Sequence, residues 1–316
     1  MNEQVYQTIK SAETEDWLDY HYIRPFSYYW AKAFNRFDIH PNTVTILSMI
    51  IGAASCVFFA HDSLYYGGWE GLGYNLIAIM MLMVADILDC TDGQLARMSG
   101  KKSRLGRILD GMAGFVWFIP IYLAIVWRFS QHHSLEASLI VLVLSFISGF
   151  SGISSQQRLA DYYIQAHLLF LKGEKGSELD NSLQQQEIYN QMDASVPFYE
   201  RWFQKTYIGY TRKQEKSTPQ FQRLLAALCE KYGDFGHAPQ YIHEELHRSS
   251  LRLMTLNGLL TFNFRSFWLF LFCLIDLPAC FFLFEIVCMG LLTEYIRRRH
   301  ENFCRRVYEM VTKEAQ

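Results

Sequence analysis

Long apolar stretches alternate with short polar segments along most of the chain, and one long polar segment interrupts the alternation. Each apolar stretch is long enough to cross a hydrocarbon core of about 30 Å as a helix that rises about 1.5 Å per residue. We predict six membrane spans, at residues 43–62, 72–96, 105–128, 135–155, 252–275 and 277–296. The pattern therefore predicts an all-α integral membrane protein with six transmembrane helices.

The polar segment covers residues 156–250 and holds much of the charge of the chain. Its apolar periodicity predicts helices, first as an extension of the fourth span and then as separate elements. The predicted helical ranges are 156–171, 183–192, 198–214 and 219–232, with a glycine- and charge-rich loop at 172–181. We interpret the segment as a helical cytoplasmic insert between the fourth and fifth spans that caps the membrane site.

Residues 17–30, before the first span, combine aromatic and charged side chains. This composition favours an amphipathic helix that lies along the bilayer surface, and the alternative is a soluble helix packed on the insert. The chain then divides into an interfacial segment at 1–42, spans one to four at 43–155, the insert at 156–250, spans five and six at 251–296, and a basic tail at 297–316.

Lysine and arginine are concentrated at one side of the predicted bundle. The segments after spans two and six are rich in both, whereas the loop at 62–71 has none and the loop at 128–135 has only Arg128. Because basic loops stay on the cytoplasmic side, we expect both termini and the insert in the cytoplasm, with the spans in the inner membrane.

Composition excludes some other classes of protein. The hydrophobic fraction is 51% and the net charge is −2, so no large basic face indicates a nucleic-acid partner. Of the seven cysteines, four lie in apolar stretches and are interpreted as small buried hydrophobic residues and not as disulfide partners. No CxxC pair indicates a zinc site.

Candidate chemistry lies where the second and third spans meet. Asp86, Asp89 and Asp92 recur at every third residue near the end of span two, and Asp110 lies in the first turns of span three. Carboxylates in such a position normally face a partner or a polar cavity, and clustered carboxylates repel one another unless a cation lies between them. Oxygen ligands suit Mg²⁺ or Mn²⁺, which could hold a pyrophosphate and neutralise a transferring phosphoryl group.

These residues resemble the signature of the CDP-alcohol phosphotransferases, Asp-x2-Asp-Gly-x2-Ala-Arg-x8-Gly-x3-Asp-x3-Asp. The start of span one, His40-Pro41-Asn42-Thr43-Val44-Thr45, also resembles that family. Seven signature positions match in type and spacing: Asp89, Asp92, Gly93, Ala96, Arg97, Gly106 and Asp110.

The resemblance implies a metal site and a nucleotide site. Asp89, Asp92 and Asp110 would ligate two Mg²⁺ or Mn²⁺ ions, and the bound CDP group would contact Asp89, Gly93, Ala96, Arg97 and Gly106. The resemblance also implies a membrane enzyme, often a homodimer, that displaces CMP from a CDP-linked donor with an alcohol in phospholipid synthesis.

One position departs from the signature: Gly114 stands where the family has its last aspartate, a metal ligand and the proposed general base. Besides Asp110, Asp86 is then the candidate catalytic carboxylate, because it lies one turn before the motif. Alternatively, a substrate phosphate or another residue takes the proton, or the protein is a weakened or inactive relative.

Several functions remain open from the sequence. Six spans resemble the CDP-diacylglycerol branch of the family more than its larger choline- and ethanolaminephosphotransferases. The resemblance therefore implies CDP-diacylglycerol as donor, with inositol phosphate or glycerol phosphate as acceptor, and CDP-ethanolamine or CDP-choline with a lipid acceptor is the runner-up. A non-catalytic protein that binds CDP-lipid, and more weakly a transporter, are the other hypotheses. Arg265 in span five is a candidate phosphate ligand, or a partner of Glu285, or a side chain that reaches the interface.

Overall fold

The computed structural model describes residues 3–193 and 195–313, and every regular element in these ranges is a helix. The α-helices, in chain order, are α1 (Glu3–Tyr6), α2 (Arg24–Arg36), α3 (Pro41–Phe59), α4 (Leu64–Ser99), α5 (Arg104–Ser130), α6 (Leu135–Ser151), α7 (Arg158–Lys172), α8 (Ser182–Asn190), α9 (Phe198–Ser217), α10 (Pro219–Tyr232), α11 (Gln240–Asn257), α12 (Phe262–Leu274), α13 (Pro278–Phe284) and α14 (Gly290–Lys313). Single π-helical turns at Asp19–Ile23, Gly152–Gln157 and Glu285–Met289 precede α2, α7 and α14.

The chain forms two compact units. The first comprises Met1–Ser155 with Phe262–Gly290, and the second comprises Gln156–Thr261 with Leu291–Gln316.

Among the described residues, five helical segments are long and apolar enough to cross a membrane, as expected of an integral membrane protein. They are Pro41–Phe59, Leu64–Ser99, Leu105–Ser130, Leu135–Lys172 and Pro278–Lys313. These segments lie where the sequence predicts spans one to four and span six.

The predicted fifth span, 252–275, is not one helix. α11 ends at Asn257, a 3₁₀ turn occupies Gly258–Leu260, and α12 begins at Phe262. Thr261 stabilises the break, because its hydroxyl and its N–H both donate to the carbonyl of Gly258, at 2.6 and 3.3 Å. The 13 residues of α12 rise only about 20 Å, which is less than the apolar core of a bilayer. The prediction of a single continuous helix is therefore wrong here.

The core of the first unit forms where α3, α4 and α5 pack against one another. Leu82, Ile121 and Phe281 are completely buried, and the indole N–H of Trp117 donates to the carbonyl of Ser48 at 3.1 Å. Large apolar side chains also cover the outer faces of α3 to α6, as expected for surfaces that contact lipid. Examples are Ile50, Val57, Met80, Ile119, Phe146 and Phe150.

α2 has two different faces. Ser27, Tyr28 and Ala31 are buried toward α4, and the Ser27 hydroxyl donates to the carbonyl of Ile87 at 2.9 Å. The opposite face exposes aromatic side chains, namely Phe26, Tyr29 and Trp30. α2 is therefore amphipathic.

The second unit has its own core, built on Phe170, Phe221, Leu224 and Phe303. α8, α9 and α10 occupy the ranges in which the sequence predicts helices. The segment predicted as a basic tail from residue 297 is helical: α14 continues to Lys313 and buries Cys304, Val307 and Val311. Apolar residues at helical spacing within the basic sequence explain this helix.

Candidate functional site

A short connection brings the signature residues of α4 and α5 to the same end of the helix pair. Gly100 ends α4 with a left-handed backbone (φ 70°), which glycine adopts without strain. Ser103 caps α5, since its hydroxyl accepts a hydrogen bond from the N–H of Gly106 at 2.9 Å. Asp89 and Asp92 near the end of α4 therefore lie beside the start of α5, where Asp110 is located.

Asp92 is held by a neighbouring helix. Its side chain is 5% exposed, and the hydroxyl of Thr45 on α3 donates to its Oδ2 atom. This contact orients one carboxylate oxygen and leaves the other available to a ligand. The Thr43-Val44-Thr45 start of span one thus contributes directly to the candidate site.

Asp89 is the least satisfied of the signature carboxylates. Its Oδ1 atom is buried and accepts no hydrogen bond from the residues that the structure describes. Among charged groups, Asp110 acts most strongly on Asp89, followed by Asp92 and Asp86, and Asp110 also acts most strongly on Asp92. A buried carboxylate oxygen without a donor, surrounded by other carboxylates, fits a cation ligand.

The predicted metal ligands are near one another but not tightly clustered. Over residues 3–193 and 195–313, Asp89, Asp92 and Asp110 do not contribute three oxygens that all lie within 4.8 Å of one another. Mutual repulsion keeps like charges apart, whereas a divalent cation would draw them together. Asp110 is on the exposed side of the group.

The signature glycines have distinct local roles. A Cβ atom on Gly106 would lie 2.7 Å from Oδ1 of Asn42, so a larger residue would displace that side chain at the start of α3. A Cβ on Gly93 would lie 3.4 Å from the Arg97 guanidinium, which folds back over that turn of α4. Arg97 also donates from Nε to the carbonyl of Thr8. Ala96 is half-buried on the same helix.

Gly114 is buried on α5, one turn beyond Asp110, and it brings no side-chain oxygen to the site. The compensating candidate, Asp86, has a different environment. The charged groups that act most strongly on Asp86 are Asp19 and Arg24 from the N-terminal segment, and not Asp110. The structure thus brings Asp86 together with a set of residues that the sequence analysis did not single out.

That set, called here the N-terminal acidic group, consists of Glu15, Asp16 and Asp19. Glu15 pairs with Arg24 at 2.9 Å, and the amide of Asn263 on α12 donates to both Asp16 and Asp19 at 2.8 Å. Burial, together with the charge of Asp16, raises the pKa of Asp19 to about 7. The sequence could have indicated this group, because Glu15, Asp16 and Asp19 lie within five residues where the aromatic segment 17–30 begins.

Arg265 is buried against Glu285, with 2.7 Å between Nη1 and Oε1. The Tyr122 hydroxyl donates to Glu285 at 2.7 Å, the Ser148 hydroxyl also donates to it, and Arg265 donates to the carbonyl of Gly152 at 3.3 Å. Of the three roles left open for Arg265, the structure favours the ion pair with Glu285. The candidate phosphate ligand already has an anionic partner within the bundle.

Comparison with known proteins gives a family match for part of the chain. Residues 38–165 match the protein-family model described as CDP-alcohol phosphatidyltransferase. The matched range contains α3, α4 and α5, and with them every residue of the signature. No curated protein and no solved structure shows significant similarity to the chain.

Proposed function

Since residues 38–165 form a domain of the CDP-alcohol phosphatidyltransferase family, we propose that this protein moves a substituted phosphate group from a CDP-linked donor to an alcohol. CDP-diacylglycerol is the proposed donor, and CMP is the proposed leaving group. The observation that carries the proposal is the position of Asp89, Asp92 and Asp110. They act on one another across α4 and α5, and one buried oxygen of Asp89 lacks a hydrogen-bond donor.

In the proposed reaction, the hydroxyl oxygen of the acceptor forms a bond to the phosphorus atom that bears the lipid. The bond between that phosphorus and the bridging oxygen of the pyrophosphate breaks, and its electron pair leaves with CMP. The hydroxyl proton must pass to a base. No redox change occurs, and no further reactant is needed.

Asp89, Asp92 and Asp110 would hold two divalent cations, Mg²⁺ or Mn²⁺. The buried, unpartnered Oδ1 of Asp89 and the all-oxygen donor set fit such ions. When bound, these ions neutralise charge on the pyrophosphate and on the transferring group. Thr45 would keep Asp92 oriented, and Arg97 would place a positive charge beside the phosphates.

Gly114 has no group that accepts a proton, so the proton must pass to another oxygen. Asp86 remains one candidate acceptor in this proposal, and a phosphate oxygen of the substrate is the other. A positioned base contributes about 10²–10⁴ to the rate, so the absence of an aspartate at this position predicts slow turnover.

The arrangement in the membrane is also part of the proposal. Five apolar helices support an integral membrane protein. We propose that it lies in the inner membrane with both termini in the cytoplasm, as the basic loops indicate. A homodimer is proposed from the family alone.

The direct test is CMP release by the purified full-length protein in nanodiscs, with CDP-diacylglycerol, Mn²⁺ and a panel of alcohols. Asp89→Asn and Asp110→Asn should each remove most of the CMP release. Asp193→Asn, an exposed aspartate of the second unit, is the matched control and should behave as the parent protein does. Equal CMP release by Asp110→Asn and the parent would contradict the proposal.

A second function is favoured by the buried Gly114: binding of a CDP-lipid without turnover. This alternative predicts metal-dependent CDP binding, measured by calorimetry, with no CMP released from any donor. Gly114→Asp distinguishes the two, because restoring the carboxylate should increase turnover if only the base is missing.

A further inference from the structure

Asp86 is a buried carboxylate without a direct partner. Its side chain is 7% exposed, and in the described part of the chain it accepts no hydrogen bond and forms no ion pair. α4 is apolar around this position, so the helix itself does not compensate for the charge. A buried charge in this state costs free energy unless a ligand neutralises it.

The surroundings of Asp86 carry an excess of negative charge. The charged groups that act on it are, in decreasing order, Asp19, Arg24, Asp16 and Glu15. Three of the four are carboxylates, and the single cation, Arg24, is already paired with Glu15 at 2.9 Å. We call Asp86 together with the N-terminal acidic group the acidic cluster.

Two carboxylates of the acidic cluster are held in fixed positions. Asn263 donates from one amide nitrogen to Oδ2 of Asp16 and to Oδ1 of Asp19, both at 2.8 Å. The remaining oxygen of Asp16 accepts the backbone N–H of Asp19 at 2.8 Å. α12 thereby fastens the N-terminal segment beside α4. Carboxylates that are placed in advance of binding lose little entropy when a cation arrives.

The cluster adjoins the proposed phosphotransfer site. Asp86 precedes Asp89 by three residues, which is about 4.5 Å along the helix axis. Arg24 links the two regions, because its charge acts on Asp86 and also on Asp89 and Asp92. A ligand with two or three carbon atoms could therefore have one end in the acidic cluster and a hydroxyl or phosphate at the reacting phosphorus.

The cation that fits is an ammonium group rather than another divalent metal ion. A divalent ion needs several oxygens close together, and no three carboxylates of this cluster have oxygens within 4.8 Å of one another in the described chain. A protonated amine carries one charge and three donors, which suits carboxylates that are spread more widely around it. An acceptor that carries its own phosphate would meet like charge here.

We propose that the acidic cluster binds the protonated amine of an amino alcohol, so that its hydroxyl end lies at the phosphotransfer site. This inference rests on the proposed function for its reaction, but the binding itself does not. The amino alcohol has two possible sources: it is the free acceptor for CDP-diacylglycerol, or it is the group attached to CDP with a lipid alcohol as acceptor.

The first experiment compares acceptors with the full-length protein in nanodiscs, with Mn²⁺ and CDP-diacylglycerol. Ethanolamine and serine represent amino alcohols, ethylene glycol is the neutral analogue, and glycerol 3-phosphate is the anionic one. A parallel arm supplies CDP-ethanolamine with diacylglycerol. CMP release with an amino alcohol in either arm should exceed release with the neutral alcohol by about 10-fold or more, the value of one or two charge-assisted hydrogen bonds.

The variants assign that preference to the cluster. Asp86→Asn and Asp19→Asn should each remove most of the preference for the amine through a higher KM for the amino alcohol. The KM for the CDP part should change little in either variant, and the rate with the neutral alcohol should change little in Asp19→Asn. Asp193→Asn is again the control. A preference for the neutral or anionic alcohol, or an amine preference that both variants retain, would overturn the inference.

A binding measurement separates this inference from the proposed function. Thermal unfolding of the purified protein is followed with ethanolamine hydrochloride or ethylene glycol, with no CDP donor present. Stabilisation by ethanolamine that is absent in Asp86→Asn supports the acidic cluster even if no CMP is ever released. Equal stabilisation of parent and variant, or none in the parent, overturns it. A protein that shows no CMP release with any donor refutes the proposed function alone.

Discussion

Two regions of the first unit bury charge in opposite ways. Around Arg265 and Glu285, every charge has a partner: the two side chains pair at 2.7 Å, and Tyr122 and Ser148 donate to the same carboxylate. At the C-terminal end of α5, Arg128 pairs in the same manner with Asp276, which also accepts the N–H groups of Ser63 and Tyr65.

The region around Asp86 and Asp89 buries charge without such pairing. Carboxylates gather there with few donors, and one oxygen of Asp89 is buried without any donor in the described chain. Both regions bury charged side chains, which costs desolvation free energy, and the contacts around Arg265 and Glu285 offset that cost within the protein. The comparison indicates that the paired charges stabilise the bundle, whereas the carboxylate-rich region depends on ligands that carry positive charge.

The largest effect is expected from breaking the paired region. Arg265→Met leaves the carboxylate of Glu285 buried without its cation, and it should destabilise the protein by about 3–5 kcal/mol. Unfolding by a denaturing detergent would measure the loss. The double variant Arg265→Met with Glu285→Met should recover most of it, because no unpaired charge then remains. A single variant as stable as Arg298→Met, a change at an exposed arginine, would show that the pair does not stabilise the bundle.

The next effect concerns the signature carboxylates. Asp89→Asn should lower metal-dependent CMP release by about 100-fold or more, because the electrostatic contribution of one bound ion is lost. The same change should not destabilise the protein without metal, since it removes a charge that the chain does not compensate. If Asp89→Asn instead unfolded the protein, the carboxylate of Asp89 would be a group that stabilises the fold, as Glu285 does.

Replacing Asp86 should have two smaller effects of opposite sign, a gain in stability and a loss of ligand binding. Asp86→Asn should stabilise the ligand-free protein by about 1–3 kcal/mol, because a buried charge without a donor is removed. It should at the same time weaken binding of an amino alcohol. Thermal unfolding with and without ethanolamine measures both quantities on one sample. Loss of stability in the ligand-free variant would contradict the assignment of Asp86 to the ligand-dependent region.

The smallest effect is a pH dependence that arises from Asp19. Its pKa of about 7 lies above the ordinary value of 3.8, so the folded protein holds this proton more tightly than the unfolded chain does. The resulting stability is present at low pH and is lost as the pH rises from 3.8 to about 7. The charged groups that surround Asp19 are Asp16, Arg24, Glu15 and Asp86.

The difference between the melting temperatures of the parent protein and Asp19→Asn, recorded between about pH 5 and pH 8, isolates the contribution of Asp19. The variant should gain on the parent as the pH rises. A difference in melting temperature that is constant over this range would show that folding does not raise the pKa of Asp19.

The sequence predicted those features that depend on local pattern. The apolar stretches locate α3, α4 and α5, and the spacing of Asp89, Asp92 and Asp110 predicts carboxylates at one end of a helix pair. The break at Gly258 was missed because the residues around it are apolar enough for a continuous span. The helix in the tail was not predicted, because the runs of arginine at 297–299 and 305–306 obscured the helical spacing of Cys304, Val307 and Val311.

The acidic cluster could not be predicted from pattern. It depends on the contact between Asn263 and Asp16, which lie 247 residues apart, and no local periodicity reports such a contact. The environment of Asp86 depends on the same packing. Its distance from Asp89 along the chain suggested a role beside the signature residues, whereas the N-terminal segment supplies its strongest charged neighbour.

The central claim is that the carboxylates of α4 and α5 are a site for cations that hold a cytidine diphosphate. Mn²⁺ binding by the purified protein, followed by electron paramagnetic resonance with and without CDP, tests this claim most directly. We predict that Mn²⁺ binds, that CDP tightens its binding, and that Asp89→Asn and Asp110→Asn abolish both effects while Asp193→Asn has none. Mn²⁺ binding that is absent in the parent protein, or unchanged in both site variants, would contradict the account.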